Sequence, residues 1–297
     1  MDIQISCVIP THNRVAFLHE ALESIGRQTV KPHEVVVVSD VDDAEAEAAC
    51  DAFAAESRIS TTFMSYDSDH SGASESRNRG AGAASGTHIA FLDDDDTWEP
   101  EYLEHATKAA RGTGAPLVVT WIQMFMGSKV KMGPSIPTGM TAAGAAVINP
   151  GATGSNMVIE AGVLRALEGF DPLLRMKNDT DFFYRFLKSG QRYAVVERRL
   201  VNQRKHDLGQ LTGHSSARAD HTARYFAKHR GDLALADRRH LRFVIHRIRS
   251  HTAPSAPQRL GHLALAVANI SVKQYRADRL NRKDTDFYDV PAITELP

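Results

Sequence analysis

The segment Phe91-Leu92-Asp93-Asp94-Asp95-Asp96-Thr97-Trp98 places four carboxylates in a row behind a short apolar run. Adjacent anions repel one another, and more strongly where the dielectric falls, so such a cluster is stable mainly with a divalent cation on it. Hard oxygen donors suit Mg2+ or Mn2+, and Mg2+ is usually held by one or two carboxylates plus substrate phosphates. A metal here would therefore bring a phosphate-bearing ligand with it. The bland alternative is a solvated acidic turn that caps the helix expected from Pro100. A second acidic stretch, Val38-Ser39-Asp40-Val41-Asp42-Asp43, ends another apolar run. Asp40 stands where it could meet a base or ribose, whereas Asp42 and Asp43 fit better as caps of the Ala-rich helix that follows. Ser76-Arg77-Asn78-Arg79-Gly80 adds two guanidiniums suited to oxyanions, although arginines on a helix surface are common. Asn178-Asp179-Thr180-Asp181 opens an aromatic helix, and one of its carboxylates has the chemistry of a general base; Asp179 equally fits an N-cap. His206 and His214 are candidate metal ligands or phosphate contacts, in a chain with 14 histidines.

Those residues need elements to hold them. Ile3 to Ile9, Val35 to Val38, Ile59 to Met64 and His88 to Leu92 read as strands, separated by helices over Ala16 to Gln28, Ala44 to Ala55 and Ser74 to Ala84. Continuous apolar strands that alternate with amphipathic helices call for parallel pairing with crossovers. A further helix runs from Pro100 to Arg111, with Glu99, Glu101 and Glu104 near its start where the helix dipole favours them, and a strand follows at Leu117 to Phe125. Gly127 to Gly154 has no periodicity and reads as one long loop. Then come a short strand near Asn156 to Ile159, a helix from Ala161, the turn Gly169-Phe170-Asp171-Pro172, and the helix Asp179 to Lys188, stopped at Gly190. Past residue 215 the chain turns helical and basic, with Leu241, Val244, Ile245 and Ile248 at helical spacing among arginines, and a last helix over Leu260 to Ser271.

A chain of 297 residues with 42% hydrophobic and 24% charged residues is an ordinary globular protein, which excludes a disordered chain or a fibrous repeat. Two cysteines, Cys7 in a strand and Cys50 in a helix, supply neither a disulfide framework nor a credible nucleophile. Gly80, Gly82 and Gly86 follow a helix and precede a strand, the reverse of a dinucleotide-binding order. The net charge of −1 conceals 10 Lys and Arg against 21 Asp and Glu in residues 1–150, and 25 against 15 thereafter. No signal peptide or membrane-spanning run is legible, so the expectation is a cytoplasmic protein, with peripheral contact at the inner face of the membrane, or homo-oligomer contact, through the basic C-terminal helices. Nucleic acid is not an expected partner.

Taken in order, the pieces resemble a family 2 glycosyltransferase of the GT-A fold. Val8-Ile9-Pro10-Thr11-His12-Asn13-Arg14 resembles that family's opening strand and turn, Ser39-Asp40 its nucleobase-contacting aspartate, Ser76-Arg77-Asn78 its A-R-N element, and Phe91 to Trp98 its L-D-x-D-D-x-W. Gly169-Phe170-Asp171 followed by Asn178-Asp179 is similar to its G-F-D … E-D pattern, with Ser39 and Asn178 standing where the family usually has Asp and Glu. The resemblance implies a Rossmann-like, mostly parallel α/β sheet flanked by helices, with a domain over residues 1–214 (a nucleotide-binding half 1–125 and an acceptor half 126–214) and a helical extension over 215–297. It implies Pro10, Thr11, Asn13, Arg14, Asp40, Arg77, Asp93 and Asp94 as nucleotide or sugar contacts, with Asp95, and His206 as a second candidate, as ligands of Mn2+ or Mg2+. It implies Asp179 as the base of an inverting transfer from a nucleotide diphosphate sugar, UDP-sugar favoured, to an acceptor hydroxyl. The competing readings are a metal-dependent nucleotidyl or phosphoryl transferase, which would more naturally carry a Gly-rich phosphate loop near Pro10 to Val15, and a nucleotide-sugar binding protein without turnover.

Overall fold

A computed structural model describes residues 2–67, 72–205, 215–270 and 288–289. Its chain runs β1 (Ile5–Thr11), α1 (Val15–Gly26), β2 (Glu34–Ser39), α2 (Ala44–Ser57), β3 (Thr61–Ser65), α3 (Ala73–Ala83), β4 (His88–Phe91), β5 (Thr97–Trp98), α4 (Tyr102–Thr113), β6 (Leu117–Met126) and β7 (Lys129–Met132). It continues with α5 (Ala142–Ala145), a 3-10 turn at Gly154–Asn156, β8 (Met157–Glu160), α6 (Ala161–Ala166), α7 (Asn178–Lys188), β9 (Tyr193–Arg204), α8 (Ser216–His229), α9 (Leu235–Thr252), α10 (Ala256–Ala268) and β10 (Tyr288–Asp289). The sheet order is β10-β7-β6-β8-β4-β1-β2-β3, with β9 beside β6 and β5 beside β9. Strands β3, β2, β1 and β4 pair in parallel, and β8 and β7 add antiparallel neighbours farther along.

Strands β1 and β2 are apolar almost throughout because both their faces are covered. Cys7, Ile9, Val35 and Val37 pack with α1 residues Leu18, Leu22 and Ile25, while Val8, Val36 and Val38 join Phe170, Phe182 and Phe186 on the other face. Gly80 lets α3 approach closely: a Cβ there would lie 2.4 Å from Val8 Cγ1. Register then positions the site. Thr11 is level with Ser39, whereas β4 stops at Phe91, opposite Val8. The chain after Phe91 therefore passes the open end of β1, and its aspartates arrive beside Thr11.

The structure departs from the sequence reading in several places: β5 has no counterpart there, and the last helix begins at Ala256, with Pro257 in its first turn, rather than at Leu260. Gly127 to Gly154 is not one loop. Gly127, at φ 58°, turns the chain back so that β7 pairs with β6, and a short helix and the 3-10 turn follow. The twelve-residue β9 has no counterpart in the sequence reading, because its Glu197, Arg198 and Arg199 interrupt any alternation just where its register against β6 shifts. Asp43 caps α2 through Ala46 N–H at 3.0 Å, but Asp42 instead accepts from Ser65 Oγ at 3.1 Å. His206 and His214 lie outside the described residues.

The C-terminal helices are tied to the sheet through α7. Fully buried Asp181 accepts from Arg185 Nε (2.8 Å), His229 Nε2 (2.6 Å) and Lys228 Nζ (2.9 Å). Burial would raise its pKa, but the His229 hydrogen bond, the Arg185 charge and the Lys228 bond outweigh it and hold the group at about 2. Since the unfolded carboxyl titrates near ~4, this ionisation stabilises the fold above that pH, and its share is lost as pH falls through about 2. Asp181→Asn, which leaves Arg185 and Lys228 without their shared buried carboxylate, is expected to cost about 3 kcal/mol in urea unfolding at neutral pH. The difference from wild type should shrink as the pH is lowered toward 2.

Candidate active site

Four aspartates follow β4, and the backbone divides them into two kinds. Asp94 and Asp96 are buried, while Asp93 and Asp95 stay partly open. Asp94 accepts from Thr11 Oγ1 at 2.9 Å and from Arg14 Nη1 at 3.3 Å. Burial pushes its pKa up to about 6, with Arg14 and Thr11 pulling down and Asp95 and Asp93 pushing up. Asp96 accepts from Ser155 Oγ (2.6 Å) and Arg204 N–H (3.0 Å), and burial together with Asp95 and Asp93 raises it well above the ordinary range. Ser155 Oγ also receives the Asp93 N–H at 3.1 Å, and its carbonyl receives Trp98 Nε1–H at 2.7 Å. The cluster is thus pinned from beneath by Ser155 and Arg204. It does not cap α4, whose first N–H goes to the Glu99 carbonyl and whose next, from Leu103, goes to Gln28 Oε1 at 2.9 Å.

Helix α3 brings Arg77 under the same site. Asn78 clasps the Phe170 backbone on both sides, accepting its N–H at 2.8 Å and donating to its carbonyl at 2.7 Å. Arg77 lies over the Phe170 ring, its Cζ 5.2 Å from the centroid. Buried, it pairs with Asp93 and stands 3.7 Å from Asp179 Oδ1. Burial would lower its pKa, but Asp93 and Asp179 more than offset this and hold it charged.

Asp179 lies in the first turn of α7 without capping it; Lys177 is the N-cap and makes no cap bond through its side chain. Its side chain is 24% exposed, yet Oδ1 is enclosed and has no hydrogen-bond donor. Burial raises its pKa to about 6, against Arg77 and the Gly154 amide and with help from Asp93. The neighbouring Asn178 is a structural residue: it accepts the Asp179 N–H at 2.7 Å and donates to Ser74 Oγ at 3.1 Å, joining α7 to α3. A carboxamide suits that bridge, and the carboxylate next to it keeps its place.

Pro10 and Thr11 end β1, Asn13 turns the chain at φ 49°, and Arg14 enters α1 with Nη1 3.5 Å from Asp95 Oδ2. At the end of β2, Asp40 is buried and meets His12 Nδ1 at 2.5 Å, while the His12 side chain is 58% exposed. The sequence-expected residues Pro10, Thr11, Asn13, Arg14, Asp40, Arg77, Asp93, Asp94, Asp95 and Asp179 all gather at the carboxyl ends of β1, β2 and β4 or on the helices facing them. Three contributors carry no sequence signal of that kind. Ser155 sits in a stretch without periodicity, Arg204 ends the unforeseen β9, and His12 is one histidine among many. Among the described residues, no three His, Cys, Asp or Glu groups form a closed metal cage. Partly open Asp93 and Asp95 are hard-oxygen donors of the kind that hold Mg2+ or Mn2+ together with phosphates.

The model of glycosyl transferase family 2 matches residues 6–167, more than half of the chain. The chain belongs to that family. Asp179 lies beyond the matched residues. The uncharacterized glycosyltransferase YwdF of Bacillus subtilis is 39% identical over 106 residues, covering 36% of this chain and 38% of that one. The glucosyl-dolichyl phosphate glucuronosyltransferase of Haloferax volcanii is 29% identical over 128 residues, 40% of each chain. The matches to both relatives thus span well under half of their lengths. Among solved structures, Staphylococcus aureus TarS 1–349 in complex with UDP-GlcNAc superimposes with a TM-score of 0.64 at 16% identity, over 94% of this chain and 84% of that one. The mannosyltransferase PcManGT of Pyrobaculum calidifontis in complex with GDP-Man and Mn2+ gives 0.61 at 17% identity, over 95% and 80%. These likenesses establish a GT-A fold for this family 2 member.

Arg77→Gln leaves Asp93 and Asp179 without the cation between them. The Asp179 pKa is expected to rise above about 6, read by carboxyl NMR titration. The fold should lose about 3 kcal/mol in urea unfolding, as expected when a buried ion pair is left one-sided.

Proposed function

We propose that this protein is an inverting glycosyltransferase that moves a sugar from a nucleotide diphosphate sugar to an acceptor hydroxyl, with Asp179 as general base. The observation that carries the reading is Asp179 itself: a half-enclosed carboxylate with its pKa raised to about 6, facing the acidic strand end and lacking a hydrogen-bond donor at Oδ1. A base that titrates near working pH combines ionised form with proton affinity. It takes the acceptor proton as the hydroxyl oxygen attacks the anomeric carbon, and the nucleoside diphosphate departs from the opposite face. Asp40, beside His12, is placed for the base or ribose, and Asp93, steered by Arg77, for ribose or sugar. Thr11 spends its hydroxyl on Asp94, so its part is to set that carboxylate.

The acidic strand end fits a divalent cation. Burial pushes Asp94 and Asp96 toward protonation, which a nearby cation would offset, and Asp93 and Asp95 are partly open. Asp95, with Asp93 beside it, would hold Mn2+ or Mg2+; His206 is a further candidate outside the described residues. When bound, the ion offsets the charge of the diphosphate leaving group. UDP-sugars are the first donors to test, since TarS 1–349, one of the fold neighbours, was solved with UDP-GlcNAc. The non-catalytic alternative loses its main support, because Asn178 serves a bridge rather than replacing the base.

Asp179→Asn is expected to lower turnover by about 100- to 10,000-fold while UDP affinity with Mn2+ stays within a factor of a few. Near-normal turnover would remove the base. In wild type, kcat should climb as pH rises through about 6, because the protonated carboxyl cannot accept a proton, and then level off. Asp95→Ala is expected to abolish the Mn2+-dependent part of the thermal shift given by UDP, with the metal-free melting temperature unchanged or raised. An unaltered Mn2+ dependence contradicts the ligand role.

A further inference from the structure

Helix α10 leans on α9 and leaves most of its own surface in water. Arg259 Nε donates to Ala253 O at 2.8 Å at one end, and Arg239 Nη2 reaches Ala268 O and Ile270 O at 3.3 Å at the other. Between them the His246 and His262 imidazoles meet Nδ1 to Nδ1 at 3.1 Å. Within α10 only Ala266 is buried. Leu260, Leu263 and Val267 recur at i, i+3 and i+7, so they share one face, and they are 66%, 50% and 59% exposed. Ile270, just past the end of the helix, is also exposed. An apolar stripe of this length on a helix that could have turned it inward needs an occupant.

The charge pattern selects one. From Arg238 to Ile270 the chain has six arginines and not one Asp or Glu. Exposed Arg259 and Arg239 flank the two ends of the stripe, and each spends only one guanidinium nitrogen on the helix carbonyls given above. The acidic residues of the helices α8 and α9 are Asp237, in the first turn of α9, and Asp220 of α8, which pairs with Arg249 at 2.8 Å. A second copy docked through a two-fold axis would set these same arginines against one another. An anionic bilayer meets both features at once, with leucines among the upper acyl chains and guanidiniums at the phosphates. No helix among the described residues is long and apolar enough to cross a membrane, so the contact would be one of lying on the surface.

We propose that α10 is a membrane-interface helix that docks this protein on anionic phospholipid. The inference is independent of the transfer chemistry, since none of its residues belongs to the site at the strand ends. The test is flotation of the full-length protein with phosphatidylglycerol-containing vesicles and with pure phosphatidylcholine vesicles, at near-physiological and at high salt. Wild type is expected to float with the anionic vesicles only, and less at high salt. The triple variant Leu260→Ser, Leu263→Ser, Val267→Ser, with wild-type circular dichroism, should bind at least about tenfold more weakly, and Arg259→Glu should also bind more weakly. Equal binding by the triple variant, or no binding by wild type, overturns the proposal. So does a wild-type dimer in sedimentation velocity that ignores vesicles and that the triple variant dissociates, since the stripe would then pair two copies.

Discussion

Mutual repulsion among carboxylates that the fold forces together is the constraint around which the rest of the structure is arranged. Asp93 to Asp96 leave one strand in succession, and α7 brings Asp179 within reach of the same guanidinium that pairs with Asp93. Arg14 and Arg77 relieve part of the repulsion, yet burial, reinforced by the neighbouring carboxylates, pushes Asp94, Asp96 and Asp179 toward protonation. A fold that merely needed a stable turn would gain by exchanging these groups for neutral ones. Keeping them fits the proposed transfer, in which a cation and a diphosphate would turn a destabilising cluster into a binding site.

The scaffold answers that constraint with rigidity. Ser155 holds Asp93 and Asp96 at once, Arg204 supplies its backbone N–H to Asp96, and Asn78 grips Phe170 so that Arg77 has a fixed floor. The two acidic residues at the start of α7 have opposite fates. Asp181 is surrounded by donors and driven down to about 2, whereas burial drives Asp179, two residues earlier and without a donor at its enclosed Oδ1, up to about 6. One serves as a permanent charge that anchors α8, and the other can exchange a proton at neutral pH.

Much of this was legible in the chain. The apolar runs of β1, β2 and β4, the stripe of α1 and the acidic run after Phe91 are local features, and their parallel arrangement follows from strand and helix alternation. What stayed hidden depends on long-range pairing. Strand β9 looks polar because its arginines reach for carbonyls of its neighbours, as Arg199 does with Gly133 O at 2.9 Å. Ser155 acquires its role only once β8 and the 3-10 turn swing it under the aspartates. The Gly127 to Gly154 stretch hides a hairpin whose turn rests on a single glycine at positive φ.

The family and the GT-A fold are settled by sequence and by shape, and the chemistry rests on the acidic strand end. Anomalous diffraction at the manganese edge, from crystals grown with Mn2+ and UDP, tests that most directly. The account requires one strong peak beside Asp95 and Asp93, in contact with the diphosphate, with the uridine ring toward Asp40. Manganese absent from that corner while UDP is bound elsewhere would contradict it.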